Sequence, residues 1–490
     1  MWRAIAGIVL ALVLSAQSVW AITYDEIPDD VRRRLPEMVL RLVDPAALAA
    51  LTVDDLREFA DAYEEGRLRF VADVQVEAAS GPLKPELAIL LLQVPRGAPY
   101  VESRFVRLAK QAYGRGIFSS LEWAAYPNQD GSVDIHLWYS SRRSSFWAPD
   151  GSYDALAGWL AGVRYEDLYY GGENKQLKAA VMFNEEYTDE VNVRASWADN
   201  TLNGGHSGYS VAASLRSDWR RRMKFTTNQV NLRQRVARLD TGYSWFGQRL
   251  GELDGSLTLG AGVYDQDHFV IAVSEELEEG LPRTDFDQAG TAGYLSLAFS
   301  SSESDMSFTP RDGHFYQLKA DGHGGAFDFS RLTIDLRRYV PAPNILGYVP
   351  PPVCDGERMN IRHQFPTASL AFQLQARMAD GDVPYSEEVR IGRSDVARGL
   401  PWDQYVGTKL VAGRAEYRFN IDRSGESELF VFCDHAAVGE TFDDLESFHT
   451  YGIGGVFKVP IYGGIKLGAY YGGSFDHEDS GYGLVFGYQF

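Results

Sequence analysis

The final ten residues read Gly481-Tyr482-Gly483-Leu484-Val485-Phe486-Gly487-Tyr488-Gln489-Phe490. Tyr482, Leu484, Phe486, Tyr488 and Phe490 fall on alternate positions. A strand points successive side chains to opposite faces, so these five form one apolar stripe. In water, a terminal strand of that kind would template aggregation. Facing lipid, it fits a closed barrel in which every backbone polar group is paired between strands. The segment predicts a transmembrane β-barrel closed by its last strand.

Composition points the same way. The chain has 490 residues, 13% of them aromatic, with 48 glycines. Mean hydropathy is −0.25, and beyond the N-terminus no stretch approaches the roughly 20 apolar residues of a spanning helix. Residues Met1 to Ala21 carry one early charge, Arg3, an apolar run from Ala4 to Leu14, and small residues before Val19-Trp20-Ala21. That is the layout of a cleaved secretory signal, and the run is too short for a retained membrane helix. A soluble secreted β-protein is the plain alternative to a barrel. The formal charge of −20 argues against a nucleic-acid partner. Cys354 and Cys433 are the two cysteines. An exported protein could bridge them, but Cys354 lies in a Pro-rich connection and Cys433 in a strand at a lipid-facing position, so no bridge is expected.

Along the chain, residues 22–69 read helical, with Val31, Leu35, Val39 and Leu42 at helical spacing and a second acidic helix from Asp54 to Tyr63. Two helices packed on the next domain is the plain reading, and a plug inserted in the barrel the sharper one. Residues 70–140 form a compact α/β unit of order β-α-α-β-β. It has a strand from Phe70 to Glu77 and helices near Leu83–Gln93 and Val101–Arg115. Two further strands join through Pro127-Asn128-Gln129-Asp130-Gly131, which is hairpin chemistry. Residues 141–154 read as a linker by composition. Residues 155–490 then alternate apolar and polar between turn signals. Leu370, Phe372 and Leu374 oppose Gln373 and Gln375, and Val411, Ala415, Tyr417 and Phe419 oppose Arg414, Glu416 and Arg418. Charged faces cannot meet lipid, so they line a lumen. This length accommodates roughly 16 antiparallel strands. The fold class is thus an all-β transmembrane barrel preceded by a small α/β domain. Tyr187-Thr188-Asp189 and Ile461-Tyr462-Gly463 are expected as turns on the domain's side, and 380–409 as a long loop on the opposite side.

The α/β unit, with Gly116-Ile117-Phe118-Ser119-Ser120-Leu121-Glu122-Trp123 entering its hairpin, resembles a polypeptide-transport-associated (POTRA) domain. One such unit before a barrel of this size is similar to the outer-membrane insertase and transporter superfamily, the bacterial surface antigen family. That family includes the central subunit of the β-barrel assembly machinery, its translocation-and-assembly relative and two-partner secretion transporters. A closing aromatic residue such as Phe490 is also usual in bacterial outer-membrane barrels. Tyr165-Glu166-Asp167-Leu168 with Gly171-Gly172 resembles the first barrel hairpin, and Phe308-Thr309-Pro310-Arg311-Asp312-Gly313 a turn before an ascending strand. Most specific is Ile391-Gly392-Arg393-Ser394-Asp395-Val396-Ala397-Arg398-Gly399-Leu400 with Glu416-Tyr417-Arg418-Phe419 behind it. The family folds this loop into the lumen and holds its arginine against the aspartate of a Phe-x-Asp motif, here Phe432-Cys433-Asp434. The resemblance implies a lock of Arg398 and Gly399 on Phe432 and Asp434, with Arg414, Glu416 and Arg418 on the lumen wall. Ala397, Leu400 and Ala436 depart from the family's usual Val, aromatic and Gly. An Arg398 solvated in an exposed loop, with Asp434 satisfied by Arg414 or Arg418, is the alternative.

The function implied is protein translocation or insertion in the bacterial outer membrane, with the POTRA-like domain in the periplasm and no catalytic, metal or cofactor residues. Expected partners are client outer-membrane or secreted polypeptides, outer-membrane lipids, and periplasmic chaperones or accessory lipoproteins. A passive pore or structural barrel is the alternative, and a barrel hydrolase the remote one. Asp434-His435 would be the tempting dyad, but strand neighbours point to opposite faces, and no Gly-x-Ser-x-Gly elbow is present.

Overall fold

The computed structural model describes residues 17–18, 29–34, 53–81, 83–114, 117–141, 145–154, 158–167, 170, 175–184, 191–202, 207–224, 228–250, 253–273, 288–304, 310–347, 358–392, 396–400, 405–421, 427–459, 465–475 and 480–486. Of the expected signal, only β1 (Gln17–Ser18) lies within them, and the stretch with Leu35, Val39 and Leu42 lies outside. The N-terminal region then comprises α1 (Asp29–Arg34), α2 (Val53–Glu64), β2 (Arg69–Ser80), α3 (Pro85–Leu91), β3 (Pro99–Tyr100), α4 (Glu102–Gly114), β4 (Phe118–Pro127) and β5 (Ser132–Ser141).

The expected β-α-α-β-β order is present, with the two-residue β3 added between the helices and paired to β2. β5 alternates along its whole length, burying Val133, Ile135, Leu137 and Tyr139 on one face. Those side chains meet Phe105 and Ala109 of α4 and Ala88 of α3 in one core. Trp123 is wholly buried against the Phe105 ring at 5.3 Å, and its indole N–H donates to Glu102 at 3.2 Å. The hairpin turn closes by Asn128 N–H to Ser132 O at 2.8 Å, with Gly131 at φ +84° and Ser132 N–H capped by Asp130 at 2.9 Å. Helix α2 packs on this domain rather than plugging the barrel. Its Asp55 accepts from Arg104 at 3.0 Å and Arg107 at 2.6 Å, and Arg104 lies over the Phe59 ring.

The barrel strands are β6 (Ser145–Asp154), β7 (Gly158–Asp167), β8 (Lys175–Asn184), β9 (Val191–Thr201), β10 (Ser207–Lys224), β11 (Asn228–Leu250), β12 (Leu253–Val273), β13 (Gln288–Ser302), β14 (Gly313–Gly325) and β15 (Phe329–Pro341). The short β16 (Met359–Asn360) precedes β17 (Ala368–Gly381), and β18 (Val389–Ile391) pairs with β19 (Tyr405–Gly407). The wall then continues through β20 (Lys409–Asn420), β21 (Ser427–Gly439), β22 (Glu446–Val459), β23 (Ile465–Ser474) and β24 (Ser480–Phe486). Setting aside β1, sixteen described strands pair antiparallel around a closed ring, β9 to β10 on one side and β24 to β6 on the other.

Parity sorts the side chains as alternation predicts. Val163, Leu239, Leu295, Leu374, Val431 and Ile453 stand exposed on the outer wall, while Asp321, Asp335, Arg414, Glu416 and Asp434 are buried inward. Cys433 faces outward, as expected, and Cys354 lies outside the described residues. Tyr488 and Phe490 also lie outside them, while β24 takes in Tyr482, Leu484 and Phe486.

Two expectations need correction. The supposed linker 141–154 is largely β6, so the barrel begins at Ser145 rather than 155. Pro149 and Gly151 suggested a loop, but β6 flanks the seam, where a strand tolerates a residue without an N–H. Tyr187-Thr188-Asp189 and Ile461-Tyr462-Gly463 lie outside the described residues; by strand direction the β8–β9 connection that spans the former lies at the rim opposite the α/β domain, not on the domain's side as expected. The connections holding Ile461-Tyr462-Gly463 and 380–409 keep their expected rims.

Candidate functional site

Strand β20 sets the inner wall. Its residues alternate between half-buried Val411, Ala415, Tyr417 and Phe419 and buried Arg414, Glu416 and Arg418. β21 lies alongside in register, with Arg414 opposite Asp434 and Glu416 opposite Phe432. Across from them comes the tip of the loop between β17 and β20. Leu400, Ala397, Val396 and Ile391 of that loop are buried with Leu410, Ala436, Val438 and Phe448 of the wall. The loop therefore folds into the lumen and seals onto β20–β22 through apolar contact. Ala397, Leu400 and Ala436, the three departures from the family pattern, are part of that seal.

Arg398 enters beneath it. Its Nε donates to Asp434 Oδ2 at 2.8 Å, its Nη2 to Asp434 Oδ1 at 2.7 Å, and its backbone N–H to Oδ2 at 3.1 Å. Nη1 donates to Glu416 Oε1. The guanidinium also lies 3.9 Å over the Phe432 ring. All three charged side chains are fully buried. The planar fork of arginine matches a carboxylate with two parallel bonds and keeps its charge at any accessible pH. The second Glu416 oxygen accepts from Arg418 at 2.5 Å. Arg414 stands 3.6 Å from Asp434 and donates to Gln373 at 3.1 Å, and Gln373 donates to Asp335 at 3.0 Å. A lone buried charge is costly, whereas this cluster meets each carboxylate with at least two cations. Every residue expected in the lock and on the lumen wall is therefore in one constellation, with Glu416 a direct partner of Arg398 rather than only wall. His435 points outward, away from Asp434.

Two groups were not anticipated from the sequence. Glu387, on the same loop, pairs with Arg331 at 2.5 Å and Arg238 at 3.3 Å on β15 and β11. Tyr385 N–H donates to Gln288 at 2.9 Å nearby, and Arg331 continues to Asp321 at 3.1 Å. The loop is thus fixed at two separate arcs of the wall. At the other rim Arg311, from the turn before β14, is buried against Glu428 at 2.7 Å, bonds Asn420, and donates to Pro366 O at 3.0 Å. The ring closes between β24 and β6, where the described register pairs Leu484 with Tyr153 and Val485 with Ser152.

No family model matches the chain, and no curated relative does. Solved structures match in fold. The CdiB of Escherichia coli is similar at a TM-score of 0.51 with 10% identity, covering 92% of this chain and 88% of that one. BamA of Haemophilus ducreyi lacking POTRA domains 1–3 gives 0.49 with 14% identity over 85% and 84%. CdiB of Acinetobacter baumannii gives 0.47 with 11% identity over 86% and 74%.

Proposed function

We propose that the chain is an outer-membrane barrel that inserts or translocates polypeptides, its α/β unit a POTRA-like client-receiving domain in the periplasm. The fold it shares with the Escherichia coli CdiB supports the barrel architecture, and the family resemblance supplies the role. The observation that carries the reading is the Arg398 tip, seated on Asp434 and Glu416 inside the lumen. A passive pore has no need of a loop that enters its own channel and buries a guanidinium there. No nucleophile or cofactor enters this mechanism. The loop braces the lumen, and client segments reach the wall from the α/β domain.

The test is a charge-swap series of Arg398→Glu, Asp434→Arg and both together, read by the heat-modifiable gel shift for barrel folding and by client delivery in cells. Loss in each single variant with partial rescue in the double supports the reading. Three silent variants, with strong ion conductance by the wild type, would move the passive pore to the front.

A further inference from the structure

The connection between β15 and β17 leaves the barrel, reaches the α/β domain and returns. Its β16 adds a strand to the outer edge of β4, with Met359 opposite Trp123 and Asn360 opposite Glu122. The backbone pairing is short, two residues against nine between β4 and β5. Its side chains anchor far more deeply. Ile361 is wholly buried in the domain core, with Met359 and Phe365 beside it. Asn360 donates to Glu122 at 2.9 Å, and Arg362 donates to the Tyr113 hydroxyl at 3.0 Å. Arg358 pairs with Glu122 and lies over the Trp138 ring at 4.5 Å. Among the described residues nothing else pairs with that edge.

An exposed strand edge is a template for an extended chain, and natural proteins cover such edges. Here the cover is a segment of the barrel itself. We infer that the outer edge of β4 is a strand-binding site held by the chain's own Arg358–Gln364, and that an incoming extended polypeptide exchanges with this segment. Exchange would be felt in the barrel floor. Pro366 follows directly, and its carbonyl accepts from Arg311, which also pairs with Glu428. Asn344 ties the two ends of the connection to the wall through Thr367 O at 3.0 Å and Asn420 O at 3.1 Å. Occupancy of the domain edge and the packing of the lumen floor are thus joined through one short strap. The inference rests on the proposed function only in calling the incoming strand a client.

The probe is a fluorescent peptide of the strap's own sequence, residues 356–366, added to the purified full chain in detergent. A second variant, Glu122→Cys with Asn360→Cys in a Cys354→Ser, Cys433→Ser background, locks the strap, because directly opposed antiparallel residues lie within disulfide reach. The locked pair is expected to form without added client. The wild type should bind the peptide weakly, Ile361→Asp at least tenfold more tightly, and the locked protein not at all until reduced. Equal binding by all three, or a cysteine pair that does not close in a barrel that migrates as folded, would overturn the inference. So would absence of binding to a folded Ile361→Asp protein. The readout needs no transport, so it can succeed where the Arg398 series fails and the reverse.

Discussion

At the scale of single residues, the loop tip depends on a glycine as much as on the arginine beside it. Gly399 has φ +99°, and a Cβ there would sit 2.8 Å from the Gly472 carbonyl carbon and 2.9 Å from Gly473 N. Both obstacles are backbone, so they cannot swing aside. Gly399→Ala is expected to cost about 1–3 kcal/mol through strain and clash, seen as a lower urea midpoint of the heat-modifiable band with Arg398 intact. Glu387 makes a separate prediction. Glu387→Ala removes a partner that Arg331 and Arg238 share but leaves the Arg398 cluster untouched. Backbone amides of 383–391 should then exchange hydrogen faster while those of 396–400 stay protected. A uniform rise over both segments would mean the loop has one anchor, not two. Arg398 and Asp434 were legible because each sits in a local motif. Glu387 was not, because Arg331 and Arg238 stand 56 and 149 positions away in sequence. Nothing in a strand's alternation says which loop residue will face it across a lumen.

At the scale of elements, strand parity was the readable quantity and strand ends were not. The inward run Arg414, Glu416, Arg418 and the outward run Leu370, Phe372, Leu374 stand in the structure as the alternation requires. Strand β6 was missed because Pro149 and Gly151 imitate a turn, and the connection at Tyr187-Thr188-Asp189 was put at the wrong rim because alternation does not give the number of strands on either side of it. Strand length was equally hidden. β10, β11 and β12 run 18, 23 and 21 residues, well past the roughly 9–11 that cross a membrane. The β10 and β11 ends at Lys224 and Asn228 lie at the rim away from the α/β domain, and in the proposed outer-membrane setting they are expected to project beyond the bilayer there. An epitope placed in the 225–227 connection should be stained on intact cells, and one placed at 203–206 only after permeabilisation. The reverse pattern would invert the barrel. The seam also belongs to this scale. Ser152→Cys with Val485→Cys joins an opposed pair, and its disulfide should leave the folded band unchanged while client delivery falls and returns on reduction. Undiminished delivery through a closed seam would mean clients do not use it.

At the scale of the whole molecule, a chain of formal charge −20 places an apolar belt outside and buried ion pairs within. In the proposed membrane setting the hydrophobic effect would not gather this core as it would in water, because lipid would solvate the outer belt rather than hide it from solvent. Stability instead comes from the closed ladder of backbone hydrogen bonds and from polar groups satisfied inside the ring. The α/β domain keeps an ordinary aqueous core around Trp123 and Phe105, and the strap 358–365 links the two regimes. The contrast predicts opposite tolerance on the two faces of one strand. Leu295, near the middle of β13, is 66% exposed on the outer wall, and Ser296 beside it faces the lumen with Gly260. Leu295→Arg places a charge in hydrocarbon and is expected to cost about 2–4 kcal/mol at midplane depth. Ser296→Asp, on the polar side, should cost less than half as much. Urea titration of both variants folded into phospholipid vesicles decides between them. A soluble β-protein would show a small penalty for Leu295→Arg, because there the new charge would remain in water, so the size of that one shift measures whether the belt meets lipid at all.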